Sequence, residues 1–132
     1  MNDVKVAQDF MRRNLVTLSP RTNVLDGVML LLRDNISGAP VVDDCQQYVG
    51  VFSEKGCMKA MTDSVEIACQ LGINAPLAGE FMKRDLITLD KDDDVFQAID
   101  HLLEKRISGA PVVDGKGAFL GIFSEKTAMR VL

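Results

Sequence analysis

Apolar positions along the chain repeat with a helical period in two places. Val24, Leu25, Val28, Leu31 and Leu32 fall at i, i+1, i+4, i+7 and i+8, one face of a 3.6-residue helix. Val95, Phe96, Ile99, Leu102 and Leu103 repeat that spacing. Thr22 or Asn23 suits the first N-cap, and Asp93 or Asp94 the second. The triplet Asp92-Asp93-Asp94 lies where a helix dipole favours negative charge, so it reads as capping rather than as a metal site. Short β-type runs precede each helix, at Leu15–Leu18 and Leu86–Leu89. Others follow, at Ala39–Val42 and Ala110–Val113, with proline near the strand start where no ladder donor is needed. Turns at Asp43-Asp44 and Asp114–Gly117 lead into Tyr48–Ser53 and Phe119–Ser124, so each copy contains a hairpin. A last helix starts near Glu54 and Glu125. The first is expected to run to about Gln70 and the second to Leu132.

The two patterns are one internal repeat. Ile36-Ser37-Gly38-Ala39-Pro40-Val41-Val42-Asp43 recurs as Ile107–Asp114, Phe52–Lys55 as Phe123–Lys126, and Phe10-Met11 as Phe81-Met82. From Phe10/Phe81 to Met61/Leu132 the offset is constant at 71, and 23 of 52 aligned pairs are identical. Chance would give roughly one in fifteen to twenty. Two copies are too few for an open solenoid, so a single pseudo-twofold body is predicted. The first copy is taken as residues 6–71 and the second as 72–132, joined by turn-forming Gly72, Asn74, Pro76 and Gly79. The fold class is α/β (α+β): a β-α-β-β-α unit twice, each a small mixed sheet covered by two helices. The first crossover should be right-handed, joining parallel strands. The apolar strands of the two copies are expected to meet.

Composition narrows the function. At 132 residues the chain can bury a core without staples, and 47% apolar with 26% charged residues argues against disorder. The net charge of −4 makes nucleic acid a poor partner. The longest apolar run, Val28–Leu32, falls far short of the roughly 20 residues of a membrane span. Met1–Lys5 lacks a signal core, so no membrane insertion and a cytoplasmic location are expected. Cys45, Cys57 and Cys69 form no C-x-x-C pair, and His101, whose counterpart is Leu30, has no second ligand nearby. Free thiols and no zinc site are expected. No nucleophile–base pair or phosphate loop is apparent, so the chain is read as no enzyme. Met11, Met58, Met82 and Met129 recur in register and read as core or interface filling.

The order Met-x-x-x-Leu-hydrophobic-Thr, amphipathic helix, Ile-Ser-Gly-x-Pro-Val-Val-Asp, Gly-hydrophobic-Phe-Ser resembles the cystathionine β-synthase (CBS) domain. Two in tandem resemble a CBS pair, or Bateman module, over Val6 to Leu132. The resemblance implies a regulatory module with no required cofactor. Such modules bind AMP, ADP, ATP or S-adenosylmethionine in two clefts between the repeats and transmit occupancy to an attached or partner protein. A homodimer, a flat disc of four CBS units, is implied too.

Residues matching such a site can be named. Asn14, Leu15, Asp85 and Leu86, with Gly38, Ala39, Pro40, Gly109, Ala110 and Pro111, could frame a flat purine slot and supply backbone groups to its edge. Proline lacks an N–H, leaving a neighbouring carbonyl for a ligand. Ser53 and Ser124, at strand-to-helix junctions, could hold a phosphate with the helix amides, as could Thr22. The same serines are also natural N-caps. Lys55 and Lys126 could meet phosphates, and the basic pairs Arg12-Arg13 and Lys83-Arg84 are either solvated charge or further phosphate contacts. One departure stands out. Nucleotide-binding members carry Ser/Thr-x-x-Asp, whose carboxylate grips the ribose hydroxyls, whereas Gly56 and Thr127 occupy that position here. Thr127 could keep one weaker contact, which favours the second site. The alternative is a dimerisation or partner-docking module that binds no nucleotide.

Overall fold

The computed structural model describes residues 5–13, 15–60, 76–84 and 87–131. The chain divides into two compact units. One is continuous, Val16–Leu86; the other is split, made of Met1–Leu15 and Ile87–Leu132.

In the continuous unit the elements are α1 (Val24–Asp34), β1 (Gly38–Val42), β2 (Tyr48–Ser53) and α2 (Glu54–Ala60). The strands β1 and β2 form the predicted antiparallel hairpin, in register from Gly38↔Ser53 to Val41↔Gly50 with an irregularity at Val41/Val42. Both hairpin edges are flanked. The Leu18 N–H donates to the Pro40 carbonyl at 2.9 Å, and the Leu18 carbonyl accepts from the Val42 N–H at 2.8 Å, a parallel bridge. On the other edge Val51 and Lys83 exchange both backbone bonds, at 3.0 and 2.8 Å.

The split unit holds β3 (Leu89–Asp90), α3 (Val95–Lys105), β4 (Gly109–Val113), β5 (Phe119–Ser124) and α4 (Glu125–Ala128), followed by a 3-10 turn at Met129–Val131. Its sheet is mixed: β3 runs parallel to β4, and β4 antiparallel to β5. Arg12 and Ile122 exchange backbone bonds at 2.8 and 3.0 Å along the far edge. The expected first strands are shorter than the sequence pattern. Leu18 and Leu89 are buried and paired, but Val16 and Thr17 are exposed, so no ladder extends back along them. Leu86 and the expected extension of α2 to Gln70 lie outside the described residues, as do Gly72, Asn74 and Cys69.

Residues expected to be a turn-rich linker are part of a unit. The Pro76 carbonyl accepts from the Val24 N–H at 2.9 Å, at the start of α1, and the Ala78 N–H donates to the Thr22 carbonyl at 2.7 Å. Ala78 and Met82 are buried in the core around Phe52. The N-terminal segment does the same for the split unit. The Lys5 carbonyl accepts from the Val95 N–H at 3.1 Å, the Ala7 N–H donates to the Asp93 carbonyl at 2.9 Å, and Ala7 and Met11 are buried around Phe123. Each segment is thus a strap that covers a helix start, enters the core and ends beside a strand edge.

The helix caps choose between the alternatives left by the sequence. Asn23 accepts from the Leu25 N–H at 2.8 Å and Asp94 from the Phe96 N–H at 2.9 Å. Both helices end in a left-handed residue, Asn35 at φ 52° and Arg106 at φ 56°. The predicted apolar face splits in two. Val24 and Leu31 face the core with Gly27, whose missing side chain leaves room for Phe52; an added Cβ would sit 2.9 Å from its ring. Ala98 takes that place in α3 and is buried. Leu25, Met29 and Leu32 are exposed, as are Phe96 and Leu103. Of the recurring methionines, Met11 and Met82 fill cores while Met58 and Met129 are exposed.

Candidate functional site

The residue pattern places matching chemistry at one end of each hairpin. In antiparallel pairing, residues that start one strand lie opposite those that end the next. Gly38 therefore faces Ser53 across β1–β2, and Gly109 faces Ser124 across β4–β5. An added Cβ on Gly109 would meet the Ser124 Cβ at 3.2 Å, so the backbones approach closely there. Lys55 and Lys126, two residues beyond each serine, are exposed in the first turns of α2 and α4. The structure thus brings the Gly-Ala-Pro step, a serine and a lysine together in each unit.

Several expected contacts are drawn elsewhere. Ala39, Pro40, Ala110 and Pro111 are buried, so any contribution from them is through backbone atoms. The Pro40 carbonyl itself accepts from the Leu18 N–H. The first amides of α2 and α4 are likewise taken. The Glu54 N–H donates to the Ser37 carbonyl and the Glu125 N–H to the Ser108 carbonyl, each at 2.9 Å. Thr22 sits in the turn before α1, half-buried, where its Oγ1 accepts from the Ser19 N–H at 3.0 Å. Leu15 is half-buried, while Asn14, Asp85 and Leu86 lie outside the described residues.

The two serines differ. Among the described residues the Ser53 hydroxyl makes no hydrogen bond, and Gly56 offers no side chain to it. Ser124 caps α4 in a reciprocal box with Thr127. The Ser124 N–H donates to Thr127 Oγ1 at 2.8 Å, and that hydroxyl donates to the Ser124 carbonyl at 2.9 Å. Thr127 is 4% exposed. In this structure the one proton of Thr127 is engaged by its own cap.

At the other end of the hairpins, in and beside the turns, the electrostatics are those of a surface. Arg21 grips Asp44 through two contacts of 2.9 Å, both residues exposed. Burial pushes the Cys57 thiol up, with Glu54 adding to the rise, so it is a poor nucleophile. Burial raises Tyr48 as well. The Asp114 carboxyl is held below its usual value by the Ala118 and Lys116 N–H groups it accepts from. Asp94 is a cap, and Asp93 accepts from the Asp90 N–H at 2.9 Å. Among the described residues no group of three His, Cys, Asp or Glu side chains is placed to hold a metal ion, and no helix is long and apolar enough to cross a membrane.

Sequence reasoning missed the straps and their effect at Gly56. A Cβ there would lie 2.7 Å from the Phe81 carbonyl oxygen. A signal was present: Ala7 matches Ala78, and Asp9 matches the acidic Glu80, at the same offset of 71 as the rest of the repeat.

Known proteins match along the sequence repeat rather than along the compact units. The profile of the CBS domain matches residues 6–63 and again 78–132. CBSX2 of Arabidopsis thaliana, in a crystal structure with AMP, superposes with a TM-score of 0.79 at 26% identity, covering 96% of this chain and 94% of that one. L-aspartate semialdehyde sulfurtransferase of Methanocaldococcus jannaschii is 25% identical over 128 residues, 97% of this chain and 23% of the relative. Inosine-5'-monophosphate dehydrogenase of Thermoplasma acidophilum is 28% identical over 123 residues, 93% of this chain and 23% of the relative. The chain therefore spans about a quarter of the length of these two relatives.

Proposed function

Because the chain belongs to the CBS-domain family as a tandem CBS pair, we propose that it is a regulatory module, not an enzyme, that binds an adenosine-containing ligand. AMP, ADP and ATP are the candidates, and occupancy is transmitted to an attached or partner protein. One observation carries this reading. In both units the strand pairing sets Gly38 against Ser53 and Gly109 against Ser124 with a lysine beyond, in a chain similar over nearly its whole length to a protein crystallised with AMP.

The groups fit part of such a ligand. The glycines permit close backbone approach to a flat base, and the serine hydroxyls with Lys55 and Lys126 suit phosphate oxygens. Asn14, Leu15, Thr22, Asp85, Leu86 and Thr127, with the backbone of Ala39, Pro40, Ala110 and Pro111, complete the proposed set. Regulation needs only differential affinity for two arrangements of the protein, and about 1.4 kcal/mol of coupling moves a linked equilibrium tenfold. A second copy of the chain is the proposed assembly partner, since each unit exposes apolar residues on its long helix, Leu25, Met29 and Leu32 in one and Phe96 and Leu103 in the other.

A thermal shift with AMP, ADP, ATP and S-adenosylmethionine at millimolar concentration tests the reading. Ligand at a hundred times its dissociation constant adds about 2.7 kcal/mol, a rise of several degrees. A rise with an adenine nucleotide is the expected result. No rise with any of the four, from protein that also lacks excess absorbance near 260 nm, would leave a docking module that takes no nucleotide. The absence of Trp and the single Tyr48 make that absorbance easy to read.

A further inference from the structure

We infer that each unit carries a recognition site for a strap peptide and that the two sites differ in what they admit. The split unit takes either strap sequence, whereas the continuous unit takes only one with glycine at its fourth position.

The two straps are one motif. Lys5-Val6-Ala7-Gln8-Asp9-Phe10-Met11-Arg12-Arg13 aligns with Pro76-Leu77-Ala78-Gly79-Glu80-Phe81-Met82-Lys83-Arg84. Four positions are identical, three keep their chemistry, and the first and fourth differ. Each strap is held in the same way. Its acid accepts from the N–H of its own second residue, Asp9 from Val6 at 3.0 Å and Glu80 from Leu77 at 2.7 Å. Its alanine and methionine are buried, and its eighth residue pairs with a hairpin edge. The methionine sulfur lies 3.0 Å from a Cβ added at Gly121 in one unit and at Gly50 in the other. The difference at the first position is without consequence. The backbone bond there uses only the carbonyl, which proline supplies as well as lysine does.

The fourth position does discriminate. The Gly79 N–H donates to the Pro20 carbonyl at 2.9 Å. A Cβ on Gly79 would stand 2.9 Å from that oxygen, 3.1 Å from the Pro20 Cβ and 3.3 Å from its Cα. These are backbone atoms and a ring tied to the backbone, so none can swing aside. Gly79 lies outside the left-handed region, so space alone calls for glycine. In the split unit the counterparts are Gln8 and Lys91. The Gln8 N–H donates to the Lys91 carbonyl at 3.2 Å, and a flexible side chain replaces the ring. That site already holds a side chain as large as glutamine, so it admits glycine too. Attractive contacts are shared by the two straps, and the clash at Pro20 is the repulsive element that tells like ligands apart. A strap offered by a second copy of the chain meets the same rule.

Two chimeras of the full chain, read by thermal unfolding, are the test. In the first, residues 5–13 take the sequence of 76–84. In the second, residues 76–84 take that of 5–13. The first loses little beyond the Lys5 ammonium over the Phe10 ring and should melt within about 4 °C of wild type. The second overpacks the Pro20 contact and should melt at least about 5 °C below the first, or not fold. Keeping Gly79 in the second should bring it back to within about 4 °C of wild type. A first chimera that falls further, a gap between the two smaller than about 5 °C, or a loss that Gly79 does not restore would each overturn the inference.

Discussion

Gly121 and Gly50 hold the strap ends against the hairpins because they lack a side chain. A Cβ on Gly121 would lie 2.5 Å from the Arg12 carbonyl oxygen, and one on Gly50 2.6 Å from that of Lys83, with a methionine sulfur at 3.0 Å in both cases. Gly121→Ala should therefore destabilise the protein by about 1–3 kcal/mol in urea unfolding, the range for overpacking a tight site. Gly115→Ala is the control. Nothing lies within 4 Å of its added Cβ, so it should be neutral or stabilise by up to about 1 kcal/mol. Equal effects from the two substitutions would refute the close approach. Asp114 gives a second residue-scale prediction, in pH. Its carboxylate accepts from the Lys116 and Ala118 N–H groups at 2.8 and 3.0 Å, which lowers its folded-state pKa. A lowered folded value means a contribution to stability that is present above the unfolded pKa of about 3.9 and is lost as pH falls through the folded value. The melting-temperature gap between wild type and Asp114→Asn should thus be steady near pH 6 and shrink below pH 4. A gap that widens on acidification would reverse the assignment. The Asp-led hairpin turns are legible in the sequence because their partners are two and four residues away. The role of Gly56 is not, because the oxygen that crowds it belongs to Phe81 in a remote segment.

The helices show where periodicity suffices and where it stops. Both run where the spacing of their apolar residues places them, with Asn23 and Asp94 as caps. The period, however, merges two stripes that the fold separates. Val24, Gly27 and Leu31 turn inward, while Leu25, Met29 and Leu32, spaced at i, i+4 and i+7, are 39%, 65% and 71% exposed. In α3 the outer stripe keeps Phe96 and Leu103 but carries Asp100 where α1 has Met29. Which apolar stripe faces the core depends on where the sheet lies, and that is set by pairing rather than by the helix itself. An outer stripe that recurs in both units is suited to a second copy of the chain, because a twofold interface uses the same patch on both partners. Sedimentation velocity at tens of micromolar should accordingly show a dimer. Leu32→Glu or Leu103→Glu should shift it to monomer while far-ultraviolet circular dichroism stays unchanged, since neither side chain supports its own core. A wild-type chain that sediments as a monomer would refute the assignment of these faces.

At the scale of the molecule, the repeat in the sequence and the compact unit in space are different objects. A sequence boundary at residue 72 places Pro76–Arg84 in the second copy, yet Ala78 and Met82 are buried with Leu18, Val24 and Phe52 of the first. The N-terminal strap belongs with Leu89, Val95 and Phe123 in the same way. Local pattern cannot show this, because a strap with only two buried residues has no period long enough to register and its partners lie far along the chain. Deleting residues 1–13 separates the two descriptions. It removes Ala7 and Met11 from the split unit's core, the bond between the Lys5 carbonyl and the Val95 N–H, and the pairing of Arg12 with Ile122. Loss of a buried methionine side chain alone costs about 2–5 kcal/mol, a large part of a small domain's stability. Hydrogen exchange on the truncated chain should therefore show protection lost through α3, β4 and β5, with α1, β1 and β2 retaining theirs. If the sequence copies were the folding units instead, the loss would fall on α1, β1 and β2, the elements nearest the deleted segment in the chain.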